Sequence, residues 1–301
     1  MRIVELSGGV GGARLARGLD RLEDVDLTIV VNVGDDEDIH GLQVAPDIDT
    51  VVYTLAGIEG PHGWGRAGDT FETNSEIGAL GHDNNFQLGD RDLAMNILRT
   101  EALRNGTSLS TFTSNVTKQL GIKAFVVPAT DDSQRTMLET DAGEVLCFQE
   151  YFVLRQTRET VVAVTFEGSP EPAPGVLDAI TQADMVFIAP SNPPLSIWPI
   201  LAVAGIRDAV HRHENVVAVS PLFGGKALKG PADRVMASLG LPAGNAGVLA
   251  AYDGLVDRLI VDISDAADIT ELNGEVAVSA LDTRLSEADA AERFCEEVLA
   301  L

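Results

Sequence analysis

Cysteine, lysine and aromatic residues are all scarce in this chain of 301 residues. The two cysteines, Cys147 and Cys295, are too few for a disulfide framework and indicate a reducing compartment. Lysine occurs only four times, and with 46 acidic residues against 21 lysines and arginines the formal net charge is −25. Because nucleic acid and anionic membrane surfaces repel such a charge, neither is expected as a partner.

Long apolar runs are missing as well. No stretch approaches the roughly 18 residues that a bilayer-spanning helix needs, and no charged and then apolar signal sequence precedes the first predicted strand. We therefore expect a cytoplasmic protein without a membrane segment. The hydrophobic fraction of 45% and the regular succession of strand and helix patterns indicate a globular α/β protein.

Short apolar strands alternate with helical patterns along most of the chain, as in a parallel sheet covered on both faces. The clearest strands after the first are predicted at residues 26–33, 123–128, 184–189, 215–220, 258–262 and 275–278. The predicted fold is a Rossmann-like three-layer α/β sandwich with a mainly parallel sheet. We expect one nucleotide-binding-like domain over residues 1–301, with an inserted helical and hairpin elaboration at about residues 59–156. Within it, residues 59–89 are predicted to be irregular, and residues 135–140 and 144–151 to form a hairpin.

The stretch Arg2–Asp20, RIVELSGGVGGARLARGLD, has the clearest functional pattern. Its predicted strand is followed by a loop with four glycines, Gly8, Gly9, Gly11 and Gly12. When such a loop opens a helix, backbone N–H groups and the helix N-terminus can bind phosphate, because glycine lets an anion approach the backbone closely. Arg14 stands where a dinucleotide fingerprint needs its third glycine, and the Gly-Lys-Ser/Thr of a P-loop is missing. The alternative is a tight β–α turn that binds nothing.

Two aspartates, Asp47 and Asp49, lie at the start of another predicted helix. Carboxylates at such a position cap free N–H groups, which accounts for one of them without any ligand. Two aspartates near the acidic segment at residues 35–38 also suggest ligation of a hard cation, because magnesium prefers carboxylate oxygen and water. Helix capping and a hard-cation site at Asp47 and Asp49 are therefore both open at this point.

Polar loops follow three of the predicted strands at the carboxyl edge of the sheet, where open parallel sheets bind their ligands. The residues singled out there are Asn32 and Asp35 after the second strand, Ser191 and Asn192 after the strand at 184–189, and Gly224, Gly225, Lys226 and Lys229 after the strand at 215–220.

The segment predicted to be irregular places Trp64 close to the charged residues Arg66 and Asp69. Aromatic surface beside charge would suit a ring-shaped ligand. Asp90 and Arg91 stand at the start of the helical pattern that follows, where Asp90 is an ordinary N-cap candidate.

Eight segments resemble the 2-phospho-L-lactate transferase family and follow one another in the order of that family. The family comprises the CofD and FbiA proteins and makes the deazaflavin coenzyme F-420. The segments are SGGVGGARLARGL (7–19), VVNVGDD (30–36), HGLQVAPDIDTVVYTLAG (40–57), WGRAGDTF (64–71), LGDRDLA (88–94), FQEYFV (148–153), APSNPPLSIWPIL (189–201) and SPLFGGKALKGPAD (220–233). The resemblance covers about residues 2–233, and the remainder of the chain carries no motif of the family.

The resemblance implies a magnesium-dependent enzyme. Family members move a 2-phospholactate-type group, phospholactyl or phosphoenolpyruvyl, from a guanosine diphosphate-linked donor to the ribityl hydroxyl of Fo, 7,8-didemethyl-8-hydroxy-5-deazariboflavin. GMP leaves and the F-420 precursor forms. No motif here selects the three-carbon acid of the donor. A homodimer is expected because dimers are common in the family.

Applied to this sequence, the resemblance suggests three groups of site residues. The catalytic group is Asp49, Asp47 and Asp35, with Mg²⁺ at Asp49 and Asp47. Any carboxylate at residues 35–38 or 47–49 could accept the proton of the attacking hydroxyl. The donor nucleotide and its phosphates are assigned to Ser7, Gly8, Gly9, Gly11, Gly12, Asn32, Ser191, Asn192, Gly224, Gly225 and Lys226. Fo is assigned to Trp64, Asp69, Thr70, Asp90 and Arg91.

Two other classes of protein remain as alternatives. A non-catalytic regulatory protein that binds nucleotide sugars would share the glycine loop and the parallel sheet. Such a protein is not expected to share residues 46–50 (PDIDT), 89–93 (GDRDL) and 220–231 (SPLFGGKALKGP) together. A NAD(P)-dependent dehydrogenase is disfavoured by Arg14 and by Asn32, because the end of the second strand would need an acid for the ribose.

Overall fold

The computed structural model describes residues 1–228, 230–272, 274 and 276–301, and strands form its centre. The strands in chain order are β1 (Arg2–Ser7), β2 (Asp26–Val31), β3 (Glu37–Ile39), β4 (Leu42–Val44), β5 (Phe125–Pro128), β6 (Arg135–Thr140), β7 (Val145–Cys147), β8 (Val161–Glu167), β9 (Met185–Ile188), β10 (Val216–Val219), β11 (Leu222–Phe223), β12 (Lys226–Ala227), β13 (Arg258–Asp262) and β14 (Ala277–Leu281). The main sheet has the order β14-β13-β10-β9-β1-β2-β5, and all of its neighbouring strands are parallel.

Helices cover both faces of this sheet. They are α1 (Val10–Asp20), α2 (Pro46–Leu55), α3 (Glu72–Ala79), α4 (Asp92–Arg104), α5 (Leu109–Gln119), α6 (Val176–Gln182), α7 (Trp198–Ala202), α8 (Ile206–His211), α9 (Ala232–Ser238), α10 (Asn245–Tyr252), α11 (Asp268–Leu272) and α12 (Ala288–Leu299). Ile3 of β1 packs with α1, α2 and α12, whereas Val4 and Leu6 point to the other face and pack with α6, α8 and α10. The predicted three-layer α/β fold is confirmed. None of the described helices is long and apolar enough to cross a membrane.

The predicted hairpin is present, but its second strand, β7, ends at Cys147 instead of Tyr151. A π-helical turn follows at Glu150–Leu154. Phe148 and Phe152, four residues apart, stack with their ring centroids 5.3 Å apart. A helix brings residues at this spacing together and a strand does not, which explains why the apolar run leaves the sheet. Strand β8 completes a three-stranded antiparallel sheet in the order β7-β6-β8.

Residues 59–89, predicted to be irregular, contain the helix α3. Asp90 caps its N-terminus: the carboxylate accepts hydrogen bonds from Thr70 Oγ1 at 2.6 Å and from the amides of Glu72 and Thr73 at 3.0 Å. These bonds hold the pKa of Asp90 well below its usual range. Asp90 follows α3 in the sequence although it caps the N-terminus of that helix. The residues just before α3 therefore give no N-cap signal.

Other boundaries also differ from the sequence pattern. Strand β5 lies within the stretch 59–156 but pairs with β2 in the main sheet, whereas β8 lies beyond that stretch and belongs to the small sheet. The strand predicted at residues 275–278 corresponds to β14, and Glu275, where the prediction begins, lies outside the described residues. The hairpin β3–β4 and the helices α6, α8 and α10 were not predicted, because they are too short to show a clear period.

Glu5 is an exception within the apolar core. It lies on β1 with 0% of its surface exposed, and neither carboxylate oxygen has a hydrogen-bond partner in the described part of the chain. Burial raises the pKa of Glu5 well above its ordinary value, and the nearby Ser7 hydroxyl opposes this only in part. The folded protein therefore keeps this carboxyl group neutral at pH values where the unfolded chain releases the proton.

Glu5→Gln is expected to stabilise the protein at about pH 8 and to change its stability little at about pH 4. The wild type loses stability as the pH rises above the ordinary pKa of 4.5, because the unfolded chain releases a proton that the folded chain retains. Glutamine does not titrate, so the variant lacks this loss. Urea unfolding of both proteins across that pH range measures the difference. Parallel stability curves for the two proteins would contradict a neutral buried carboxyl group.

Candidate active site

The carboxyl ends of β1, β2 and β9 bring three of the predicted loops together. β1 pairs with β2 so that Ser7 lies opposite Val31, and with β9 so that Leu6 lies opposite Ile188. The glycine loop after β1 therefore lies between Asn32, which follows β2, and the loop that follows β9. This is the edge at which open parallel sheets bind ligands.

Close packing within the protein accounts for the glycines of this loop. A Cβ atom at Gly11 would overlap the carbonyl oxygen of Pro190, and one at Gly12 would overlap the hydroxyl group of Ser7. Glycine thus lets α1 approach the loop after β9. Packing within the protein explains these glycines, so their density by itself does not indicate phosphate binding.

The N-terminus of α1 carries free amide groups. Gly9 is its N-cap and has no side chain to offer. Among the described residues, the amides of Val10, Gly11 and Gly12 have no hydrogen-bond acceptor. An 11-residue helix with an uncapped N-terminus presents these N–H groups and the positive end of its dipole to an anion. The structure therefore has a suitable position for a phosphate group where the sequence predicts one.

Asn32 joins two carboxylates beside this helix end. Its Nδ2 donates to Asp35 Oδ1 at 3.1 Å and to Asp47 Oδ2 at 3.0 Å. Asp47 Oδ1 lies beside Gly9, where an added Cβ atom would come within 2.7 Å of it. Burial raises the pKa of Asp47 to about 6, and burial together with the charge of Asp47 raises the pKa of Asp35 well above its usual range. Asn32, Asp35 and Asp47 form the asparagine-bridged cluster.

Asp49 points away from this cluster. Residues two apart on a helix point roughly 200° apart, so Asp47 faces the glycine loop while Asp49 faces α4. There, Arg99 Nη2 donates to Asp49 Oδ1 in a buried ion pair. Burial raises the pKa of Asp49 to about 6, and the charge of Arg99 opposes that rise. The structure thus separates the two aspartates that the sequence analysis placed at one metal site.

Arg99 is a residue that the sequence analysis did not select. Its surface is 1% exposed, and its Nη1 donates to the carbonyl oxygen of Gln43 at 3.0 Å and to Asn96 Oδ1 at 2.8 Å. The sequence does contain a signal for it. Arg99 stands four residues after Met95 and four before Leu103, within the stripe of α4 that packs against the core.

A magnesium site with a full set of protein ligands is not found: in the described ranges, no three Asp, Glu, His or Cys side chains converge. The asparagine-bridged cluster fits a cation held by one or two carboxylates together with substrate phosphates, a common way of binding Mg²⁺. Both of its carboxylates are buried, and Asp47 Oδ1 lies beside Gly9, the N-cap of α1. A divalent cation there would offset their repulsion of a bound diphosphate.

Ser191 and Asn192 lie next to the glycine loop. Ser191 Oγ accepts a hydrogen bond from the amide of Gly8 at 3.2 Å. Asn192 Oδ1 accepts one from the amide of Leu195 at 3.4 Å and caps a second π-helical turn, Pro193–Ile197. Asn192 Nδ2 is buried and has no partner within the described ranges. The donor capacity of this amide group is therefore unused in the described part of the chain, and the contact of Asn192 with a base or a ribose stays a prediction.

The loop after β10 lies further along the same edge, because β9 separates β10 from β1. The amide of Gly224 donates to Ser264 Oγ at 3.0 Å, and the carboxylate of Asp265 lies near the amides of Gly224 and Gly225. The amide of Gly224, predicted to bind the diphosphate, therefore has an acceptor within the chain. Lys226 is exposed, and Lys229 lies outside the described residues.

The residues predicted to bind Fo lie in the loops around α3. Trp64 is 56% exposed, and its ring centroid lies 5.4 Å from that of His62. The neighbouring Gly63 lies against the side chain of Val10, at the start of α1. This contact places the Trp64 loop beside the helix end that carries the free amides.

The two predicted aspartates of this group act as helix caps. Asp69 accepts hydrogen bonds from the amides of Arg91 at 2.7 Å and Asp92 at 3.2 Å, at the start of α4. Asp90 caps α3 in the way described above. Backbone amides bind both carboxylates. Trp64, Thr70 and Arg91 are the exposed residues of this cluster, and Arg91 Nη1 donates to the carbonyl oxygen of Ala67 at 3.0 Å.

Known proteins match this chain over nearly its whole length. The family model described as 2-phospho-L-lactate transferase CofD matches residues 3–295. A Streptomyces coelicolor protein named phosphoenolpyruvate transferase is 40% identical, and the match covers 100% of this chain and 98% of that protein. A Methanopyrus kandleri protein named 2-phospho-L-lactate transferase is 39% identical, over 99% of this chain and 97% of that protein.

Among solved structures, a member of the UPF0052 family from Bacillus halodurans has a TM-score of 0.66 at 19% identity, covering 99% of this chain and 98% of that one. At that identity the likeness supports the fold alone. The family match covers nearly the whole chain, including every loop at the carboxyl edge of the sheet. This chain therefore belongs to the CofD 2-phospho-L-lactate transferase family.

Proposed function

We propose that this chain is a magnesium-dependent transferase of coenzyme F-420 biosynthesis. It moves a phospholactyl or phosphoenolpyruvyl group from a guanosine diphosphate-linked donor to the ribityl hydroxyl of Fo and releases GMP. Membership of the CofD family supports this reaction class. One relative is named phosphoenolpyruvate transferase and another 2-phospho-L-lactate transferase, which supports the two alternative groups of the donor. The observation that carries the proposal is the uncapped N-terminus of α1 beside the asparagine-bridged cluster.

The donor diphosphate is placed at the N-terminus of α1, where the free amides would donate to its oxygens. Asn192 Nδ2 would donate to the guanine or the ribose. A Mg²⁺ ion held by Asp47, with Asp35 close by, would neutralise the diphosphate and the charge that develops on the departing GMP. These local groups compensate for the net charge of −25, which by itself opposes the binding of an anionic donor.

The acceptor hydroxyl of Fo is placed at the same edge, with Asp35 accepting its proton. Burial raises the pKa of Asp35, which makes the ionised form of this carboxylate a stronger base. Asn32 binds Asp35 and Asp47 through one amide group and so orients both. Phosphoryl transfer depends mainly on positioning and charge neutralisation, which are the tasks left to these side chains. Trp64 is assigned to the deazaflavin ring, because it exposes an aromatic surface beside α1.

Direct assay of the purified chain tests this function. The chain is incubated with Fo, magnesium and, in separate reactions, the guanylated phospholactyl, phosphoenolpyruvyl and phosphoglyceryl donors. We expect mass spectrometry to find the phosphodiester of Fo from at least one donor, together with an equal amount of GMP. Chelation of magnesium is expected to stop the reaction.

The control for this assay separates the transferase from the regulatory alternative. Binding of nucleotide sugars without product from any donor would contradict the proposal and favour a non-catalytic protein. The homodimer and the cytoplasmic location rest on the family resemblance and the sequence, and sedimentation equilibrium tests the dimer.

A further inference from the structure

Arg99 of α4 binds the segment at residues 36–49, which follows β2, contains the hairpin β3–β4 and ends in the first turn of α2. Its guanidinium binds the carboxylate of Asp49 and, through Nη1, the carbonyl oxygen of Gln43 at 3.0 Å. The next residue, Thr100, accepts a hydrogen bond from the amide of Gln43 at 2.8 Å. One turn of α4 therefore holds both the end of the hairpin and the first turn of α2.

Arg99 also acts on Asp36, at the other end of this segment. The positive charge of Arg99 lowers the pKa of Asp36, against the larger raising effect of burial. Both residues line a cavity of about 200 Å³. Three buried atoms of its lining residues, Arg99 Nε, Asp36 Oδ1 and Gln134 Oε1, have no hydrogen-bond partner in the described part of the chain. A polar cavity of this volume has room for water that would satisfy all three.

We infer that Arg99 is a positioning residue of the active site, which sets the separation of Asp47 from Asp35 by binding Asp49 and Gln43 at once. Asp47 lies on the same helical turn as Asp49, which Arg99 binds, and Asp35 immediately precedes Asp36, which lines the same cavity as Arg99. This inference rests on the proposed function, because Asp47 and Asp35 are the carboxylates assigned there to the donor and the acceptor. Arg99 itself is placed in contact with neither substrate.

The planar guanidinium, and not only its charge, is required for this role. Two acceptors on different segments, the Asp49 carboxylate and the Gln43 carbonyl group, are bound by separate nitrogens of one rigid group. A lysine ammonium is a compact charge at the end of a flexible stem and does not hold two such acceptors at a fixed separation. Lysine at this position therefore separates the effect of charge from the effect of geometry.

Arg99→Lys is expected to lower kcat about 100-fold, because a displacement of about 1 Å of reacting groups has an effect of this size. The Kd for GDP, measured by calorimetry without magnesium, is expected to stay close to that of the wild type, because the amides of α1 are unchanged. A kcat near the wild-type value in Arg99→Lys would overturn the inference.

Hydrogen exchange without substrate gives a readout that does not depend on turnover. In Arg99→Lys, the amides of residues 36–49 are expected to exchange at least about tenfold faster, and those of β1 and β9 at the wild-type rate. Arg104→Met is the matched control. Arg104 lies on the same helix and donates to the carbonyl oxygen of Gly41 at 2.8 Å, but from the exposed side. This control is expected to keep the wild-type kcat and the wild-type exchange in most of the segment.

Chemical rescue tests the geometry once more. Arg99→Ala would enlarge the adjoining cavity, and millimolar guanidinium is expected to raise its kcat at least about tenfold, whereas ammonium is not. Equal rescue by both cations would overturn the requirement for a planar group. If Arg99→Ala does not fold, the kcat of Arg99→Lys tests whether a planar guanidinium is required. If the wild type transfers nothing from any donor, the proposed function fails, and unchanged exchange in Arg99→Lys would then also refute the positioning role.

Discussion

Asp47→Asn is expected to lower turnover at least about a hundredfold while the protein stays folded, as removal of one preorganised electrostatic group commonly does. Asparagine keeps the shape of the side chain and can still accept the hydrogen bond from Asn32. It lacks the charge that holds a cation against the donor diphosphate. The magnesium concentration for half-maximal rate is therefore expected to rise, which initial rates at limiting and at saturating Mg²⁺ measure.

Asp49→Asn is the companion variant, and its expected behaviour differs. Its magnesium requirement should change less than that of Asp47→Asn, because the Asp49 carboxylate is bound by Arg99. Its free energy of unfolding should fall by about 3 kcal/mol, because the buried guanidinium loses its anionic partner. If Asp49→Asn shifts the magnesium requirement and Asp47→Asn does not, then Asp49 is the metal ligand, as the sequence analysis predicts.

Gly11→Val is expected to prevent folding or to lower the free energy of unfolding by at least about 3 kcal/mol, because overpacking against the main chain is poorly relieved. The added Cβ atom would overlap the carbonyl oxygen of Pro190, which belongs to the backbone and cannot rotate away. Gly247→Val is a matched control on a different helix, α10. Its Cβ atom would overlap the carbonyl oxygen of Pro242, in the loop that precedes this helix. Thermal melts of both variants measure the loss of stability.

Gly9→Ala tests the donor site without that loss of stability. Its Cβ atom would lie 2.7 Å from Asp47 Oδ1, and a side-chain carboxylate can rotate to make room. We expect a folded protein whose affinity for GDP in the presence of magnesium is reduced about tenfold, because the Asp47 carboxylate is displaced from the helix end. If Gly11→Val folds normally, the packing account of the glycines is wrong. Unchanged GDP affinity in Gly9→Ala would contradict the placement of the diphosphate at α1.

The sequence by itself determined the fold class and the edge of the sheet that carries the site. Apolar runs such as residues 184–189 contain no polar face, so they predict strands buried on both sides in a parallel sheet. The polar segments at residues 7–12, 32–35 and 189–192 each begin where such a strand ends. Both signals are local, because they depend only on which residue types follow one another along the chain. Since the strands are parallel, their carboxyl ends then meet at one edge of the sheet.

The tertiary structure decided which of these residues act together. Asp47 and Asp49 are two positions apart in the sequence, but the turn of the helix directs one to Asn32 and the other to Arg99, 50 residues further along the chain. The glycines near Gly11 would suit a ligand or a close protein contact equally well in the sequence, and only the position of Pro190 distinguishes the two. The direction of a side chain depends on helix phase, and its neighbours depend on how distant elements pack. Both are set by the packing of the whole chain, which local patterns do not encode.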